Sequence, residues 1–268
     1  MIQKWIKKLG DSDERVRVYA ASVLSSVIDT PEARQALVKE IPALIKALDN
    51  PDKEVRLNTL ITLSEMGAYA KEAVPALIEA LNDRDKDVCT YAARTLKNIG
   101  KPARQAVAAL IKILNDEASA LRVNVIGALG QIGDSAAVPA LVTALGDADE
   151  GVRMNAGDAL YKIGNTTAIS ALIQALNDPV EHVRMNAAGA LGKIGDSIAV
   201  PALLQALRDE HHWVRWNAVN ALGMIGDSDA IPELTRSLKD TDNEVRECAS
   251  KALQKIKTPG SKAASAGL

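Results

Sequence analysis

Residues 183–207 read VRMNAAGALGKIGDSIAVPALLQAL, and the reading of this stretch decides the fold. Val183, Ala187, Leu191 and Ile194 recur at helical spacing and end at Gly195, which marks one helix and its stop. Asp196 and Ser197 can then cap a second helix carrying Val200, Leu203, Leu204 and Leu207, an i, i+3, i+4, i+7 stripe. After the polar run Arg208-Asp209-Glu210 the pattern restarts at Val214, with Ala218, Ala221, Leu222 and Ile225 on one face before Gly226. The unit is therefore two helices, A then B.

The same grammar runs along the chain. Val-Arg or a variant stands at Val16-Arg17, Val55-Arg56, Val88-Cys89, Leu121-Arg122, Val152-Arg153, Val183-Arg184, Val214-Arg215 and Val245-Arg246, so the last four steps are all 31 residues. A constant period over that length is the signature of a repeat architecture. Gly67, Gly100, Gly133, Gly164, Gly195 and Gly226 occupy the stop of helix B, where a left-handed residue satisfies the last carbonyls. Pro42, Pro75, Pro139, Pro201 and Pro232 fall near the first turn of helix A, where a missing N–H costs little.

The motif VRxNAxxALGxIGDxxAVPALxxAL resembles the HEAT repeat, in the short E-Z form shared with phycobilin-lyase-type proteins. Units 4 to 8 match closely, units 1 and 2 are looser, and unit 3 places Cys89 where Arg is expected. The resemblance implies an all-α, right-handed solenoid of about eight antiparallel helix pairs with the B helices on the concave side. The expected units are 1–29, 30–67, 68–100, 101–133, 134–164, 165–195, 196–226 and 227–257, forming one solenoid. A Pro/Gly/Ser/Ala-rich tail over 258–268 is expected to be disordered. At the other end Ile2, Trp5, Ile6 and Leu9 share a face, which reads as helix A of the first unit.

Composition agrees with an all-α reading. Aromatics are 3% of the 268 residues and Phe is absent, so the core must be Ala, Leu, Ile and Val. The 32 Lys and Arg balance 34 Asp and Glu, which leaves no global field for nucleic acid or an anionic membrane. No apolar run is long enough to span a bilayer, and the first ten residues lack a signal-peptide core. The expectation is a cytoplasmic monomer. Cys89 and Cys248 fall in units 3 and 8, too far apart for a disulfide, and should be free thiols.

An Asp lies six residues before the repeated Arg in most units, as in Asp147/Arg153, Asp178/Arg184, Asp209/Arg215 and Asp240/Arg246. Such an Asp can cap helix B and accept the guanidinium of its own or the adjacent unit, a structural ladder. On that reading Asp83, opposite Cys89, and Arg56, opposite Asn50, are the weak rungs, and Cys89→Arg should stabilise.

Residues one place before the core stripe of helix B, or three after, vary from unit to unit and outline a candidate binding surface. They include His182, Asn186, Gly189 and Lys193 in unit 6, Trp213, Asn217, Asn220 and Met224 in unit 7, and Glu244, Cys248, Lys251 and Lys255 in unit 8. One column is constant: Asn58, Asn124, Asn155, Asn186 and Asn217 sit mid-helix despite poor propensity. Two readings stand open, an amide ladder for an extended peptide, similar to armadillo-repeat proteins, or hydrogen bonding within the scaffold. Beside it runs the apolar column Val18, Leu57, Val123, Met154, Met185 and Trp216. Methionines and a tryptophan suit an adaptable binding face. The expected partner-binding set is Met154, Asn155, His182, Met185, Asn186, His212, Trp213, Trp216, Asn217 and Asn220.

Catalytic signatures are missing from the sequence. His182, His211 and His212 are the only histidines, and no His-Glu step occurs, which excludes the di-iron site of the deoxyhypusine hydroxylases that the repeat type resembles. There is no phosphate loop or nucleophile elbow, so neither enzyme activity nor a cofactor is expected. The expected function is a protein-interaction scaffold. The alternatives are a phycobilin lyase subunit, which would want more aromatic walls and cations, and a nucleic-acid binder, against which Glu54, Asp87 and Asp158 alternate with Arg15, Arg94, Lys162 and Lys193.

Overall fold

A computed structural model describes residues 2–27, 37–116 and 119–257. Among them every regular element is helical, in eight A/B pairs. The A helices are α1 (Ile2–Lys8), α3 (Ile41–Ala47), α5 (Val74–Ala80), α7 (Val107–Asp116), α9 (Val138–Ala144), α11 (Ile169–Ala175), α13 (Val200–Ala206) and α15 (Ile231–Ser237). The B helices are α2 (Glu14–Val27), α4 (Lys53–Met66), α6 (Lys86–Ile99), α8 (Ser119–Ile132), α10 (Glu150–Ile163), α12 (Glu181–Ile194), α14 (His212–Ile225) and α16 (Asn243–Lys257). The chain is an all-α repeat solenoid. The tail over 258–268 lies outside the described residues.

The A helices are shorter than the sequence pattern suggests, because their polar cap starts a different element. Asp196 Oδ1 accepts from the Ile198 N–H at 3.0 Å and holds a single 3₁₀ turn, Ser197–Ala199, ahead of the α-helix. Asn165 and Asp227 do the same for Thr167 and Asp229. The α-helix then opens at Val200 with Pro201 in its first turn, where no intrahelical donor is lost.

All six stop glycines have positive φ, and two conformations occur among them. Gly164, Gly195 and Gly226 are left-handed, with φ/ψ of 67/45°, 76/15° and 73/24°. Gly67 and Gly100 instead take ψ of −132° and −138°, correcting the expectation of one shared cap. No Asp or Asn follows these two, and the chain runs directly into longer 3₁₀ segments, Gly67–Ala73 and Lys101–Ala106. That φ/ψ region is open only to a residue without Cβ.

The fold comprises two compact units, one ending at Ala137 and one beginning at Val138. In the first, α2, α4, α6 and α8 pack side by side, and α1, α3, α5 and α7 each pack on the B helix that follows. In the second, α10, α12, α14 and α16 form the equivalent row, backed by α9, α11, α13 and α15. Val183, Ala187, Leu191, Leu203, Val214 and Leu222 are buried, and each large aliphatic side chain contributes about 1.5–3 kcal/mol. Glycine lets the B helices touch. A Cβ at Gly192 would lie 2.5 Å from Ala221 Cα, and one at Gly223 would lie 2.7 Å from Ala252 Cβ.

The charged ladder connects successive units in one direction. The Arg184 guanidinium donates to both carboxylate oxygens of Asp209 in the next unit at 2.7 and 2.9 Å, and Arg215 does so to Asp240 at 2.8 Å each. Arg153 pairs in the same way with Asp178. Each guanidinium also donates back to main-chain carbonyls of its own unit, as Arg184 does to Asp178 and Pro179. Two expectations are corrected by this pattern. Arg56 and Asp83 are partners of one another at 2.8–2.9 Å, a full rung rather than a weak one, because the bond skips to the following unit. A weak rung is Arg17, whose Nη1 donates to the Asp11 and Ser12 carbonyls and approaches Asp52 only to 3.8 Å. The ladder Asp does not cap helix B either. Asp147 and Asp209 accept from the N–H two residues on, and the cap proper is the residue reached, Asp149 or His211.

Cys89 puts its Sγ 3.2 Å from the Asp83 carbonyl, the place an arginine Nη1 takes elsewhere. Cys89 and Cys248 are both buried, and neither is in a disulfide.

Candidate functional site

In the second unit the outward stripe of the B helices carries the expected residues on adjacent helices: Met154 and Asn155 on α10, His182, Met185 and Asn186 on α12, and His212, Trp213, Trp216, Asn217 and Asn220 on α14. None is buried. His182 and Trp213 are exposed, Trp213 at 40%, and the rest are half-buried.

The centre of the stripe is aromatic. His211 and His212 stack at 5.0 Å between ring centroids, His212 meets Trp213 at 5.0 Å, and Trp213 meets Trp216 edge-to-face at 6.2 Å. The rings ascend the first turn of α14 because positions 212, 213 and 216 lie on neighbouring stripes of one helix. His182, at the start of α12, places Nδ1 3.2 Å from Glu181 Oε1.

The asparagines spend their amide donors on the scaffold. Asn155 Nδ2 donates to the Gly151 carbonyl at 2.7 Å and Asn217 Nδ2 to the Trp213 carbonyl at 2.9 Å, each four residues back in its own helix. Asn186 Nδ2 crosses to the Met154 carbonyl on α10 at 3.0 Å. Asn58, in the first unit, bonds Glu54 O at 2.8 Å and is buried, so it belongs to no open surface. These bonds keep the asparagine amide donors within the scaffold.

Sequence reasoning named the residues around a cleft that it did not see. Between α14 and α16 lies an opening of about 980 Å³, walled by Trp216 and Asn220 on one side and by Glu244, Lys251 and Lys255 on the other. Its floor is Gly223, Cys248 and Ala252. The unit-8 side chains stood in the variable columns without being singled out, and no local pattern marks them, because the cleft forms only where two helices stand side by side. Burial pushes the Cys248 thiol above its usual range despite Lys251 and Lys255 nearby.

Among the described residues, no group of three or more His, Cys, Asp and Glu is placed to hold a metal ion, and no helix is long and apolar enough to cross a membrane.

Sequence models of the HEAT repeats match residues 41–110, 107–181, 147–215 and 200–264, and a HEAT-like repeat model of the E-Z type matches 14–66. The chain is a HEAT-repeat protein. Its structure is similar to that of an engineered protein from the Northeast Structural Genomics Consortium, at 26% identity and a TM-score of 0.64, over 97% of this chain and 79% of that one. It is also similar to YibA of Escherichia coli, at 21% identity and a TM-score of 0.65, over 96% and 92%. No curated protein sequence matches. HEAT repeats are generally protein-interaction scaffolds, and the solenoid they build is typically non-enzymatic.

Proposed function

We propose that this HEAT-repeat protein binds an extended segment of a partner protein across α10, α12 and α14, on the face that the second unit leaves to solvent. The observation that carries the reading is the tryptophan pair: Trp213 is 40% exposed at the head of α14 with Trp216 packed edge-on beside it. Exposed tryptophans cost solubility unless a partner covers them, and Trp is the residue most enriched at interface hot spots. Met154 and Met185 continue the stripe on α10 and α12, with polarizable side chains that adapt to a partner's shape.

Packing supports a concave setting for this face. The B helices approach to van der Waals contact through Gly192 and Gly223, whereas the A helices pack chiefly on their own B helices. A row of closely spaced helices backed by a looser row curves toward the tight side. With their Nδ2 atoms committed to main-chain carbonyls, Asn155 and Asn217 offer Oδ1 as acceptors for the N–H groups of an extended chain. The scaffold and peptide readings of the asparagine column are then two halves of one arrangement.

Replacing Trp213 and Trp216 by Ala tests the reading, because both side chains lie outside the core and the helical circular dichroism should not change. Capture of partners from the native host, scored by mass spectrometry, should fall by at least about tenfold, the loss of a single hot-spot residue. Undiminished capture by a folded double variant would remove this face from consideration.

A further inference from the structure

The seams of the charged ladder are closed by one arrangement. Arg56, Arg153, Arg184 and Arg215 aim Nε and Nη2 at the carboxylate of the next aspartate, while Nη1 holds carbonyls of the arginine's own turn. Arg246, in the first turn of α16, is anchored in the same way. Its Nη1 donates to the Asp240 and Thr241 carbonyls at 2.7 and 3.1 Å, as Arg215 Nη1 does to Asp209 and Glu210. Among the described residues no carboxylate reaches it, and Nη2 turns back to Asn243 Oδ1 at 3.0 Å. This helix also presents Ser250 and Gln254 to solvent where α14 buries Val219 and Gly223. A charged fork, rather than apolar area, is what the end of the second unit offers.

The start of the first unit carries the other half of a rung. Asp11 Oδ1 accepts from the Asp13 N–H at 3.1 Å, as Asp209 Oδ1 does from His211, and the Asp11 carbonyl accepts from Arg17 Nη1 at 3.0 Å. The turn is therefore built like an interior one. Among the described residues no guanidinium reaches its carboxylate, and Lys8 Nζ stands 3.3 Å from Oδ2 in a partly exposed i, i+3 pair, a kind that contributes little. Beside it the apolar set of an interior seam is incompletely covered. Trp5 and Val16 are half-buried where Leu203 and Val214 are fully buried at the matching places, and Tyr19 lies exposed against the Trp5 ring.

We propose that these two ends fit one another between copies of this chain, the Arg246 fork of one copy closing on the Asp11 carboxylate of the next. The contact continues a seam that the described residues already make four times, with the same charge pair and the same anchored arginine. A guanidinium supplies two charge-assisted bonds where Lys8 Nζ supplies one, so it displaces the lysine. The seam is heterologous, and each copy that joins leaves a fork and an aspartate open, so association does not stop at two. Ser250 and Gln254 keep it reversible, because little apolar area is covered on the α16 side. The monomer expected from the sequence is then the dilute form. This contact uses none of the residues proposed to hold a partner on α10, α12 and α14.

Sedimentation equilibrium of the full chain, from micromolar to near-millimolar concentration, should give a mean mass that rises past that of a dimer. Arg246→Asp and Asp11→Arg should each weaken the association at least about tenfold, the loss of one hydrogen-bonded charge pair, with the helical circular dichroism kept. Mixing the two variants makes one native and one exchanged pairing available, and the mixture should be heavier than either alone. A mass that stays at the monomer, or variants as heavy as the parent, overturns the proposal. A mass that levels off at the dimer does so too, and would mean that two copies cover the Trp5 faces of one another. A mixture no heavier than its parts removes the pairing of Arg246 with Asp11. One readout needs no variant: the Nε–H resonance of Arg246 in the isotopically labelled chain should shift as concentration rises, and an unmoved signal beside a rising mass also overturns the assignment.

Discussion

At the level of single residues, the ladder arginine is the best-determined side chain in the repeat. Arg184 is buried to 8% exposure, makes two bonds to Asp209 and keeps two more to the carbonyls of Asp178 and Pro179. Asp209→Asn removes the charge but leaves the carbonyl bonds, so the expected loss is about 1–3 kcal/mol, the range for hydrogen bonds to charged groups. Lys162→Ala, which breaks the exposed pair with Asp158, should change stability by no more than about 0.5 kcal/mol. Urea unfolding of both variants gives the comparison, and equal losses would show that the ladder contributes no more than a surface ion pair. The existence of the ladder is legible from the Asp-x₅-Arg spacing alone. Its direction is not, because a ladder arginine lies six residues after one aspartate and about 25 before the next, as Arg184 does between Asp178 and Asp209, and it is the stacking of helices that makes the more distant one the partner, as when Arg56 finds Asp83.

At the level of helices and their connections, the same carboxylates set the acid limit of the fold. The Arg215 hydrogen bond lowers the Asp240 pKa below 3.8, outweighing burial. For Asp209 burial acts in the opposite sense, yet the Arg184 bond and the His211 N–H prevail and its pKa is also lowered. A depressed folded-state pKa contributes stability that is complete above the unfolded value and disappears as pH falls through the folded one. The links from α12 to α14 and from α14 to α16 should therefore hold unchanged from pH 7 to 5 and weaken below about pH 4, near the ordinary carboxylate value. Urea midpoints at pH 7, 5 and 3 check this, and Asp209→Asn with Asp240→Asn should flatten the acid limb. An identical acid limb in that double variant would assign it to other carboxylates. The helices themselves were legible element by element, since the 3.6-residue stripe, the glycine stop and the first-turn proline are local signals. The 3₁₀ turns ahead of the A helices were not, because an Asp followed by two small residues caps either kind of turn, and the cleft between α14 and α16 was not, because it is formed between two helices whose spacing no local pattern sets.

For the whole molecule, a repeat array distributes its stability as unit terms plus nearest-neighbour interfaces, so damage should be felt most where it is made. The two thiols report this from different units, Cys89 buried on α6 and Cys248 on α16 at the floor of the cleft, and each is labelled faster when the helices around it part. Gly192→Ala introduces a Cβ 2.5 Å from Ala221 Cα, a backbone atom that cannot rotate away, and forces α12 from α14 at a cost of about 1–3 kcal/mol. Labelling with a neutral thiol reagent under native conditions should then speed up at Cys248, whose own helix packs on α14, by more than at Cys89. Mass spectrometry of the two tryptic fragments gives both rates from one sample, so differences in reagent or pH cancel. Equal acceleration at both cysteines would mean that the chain opens as one cooperative body, and the nearest-neighbour account of its stability would have to be abandoned.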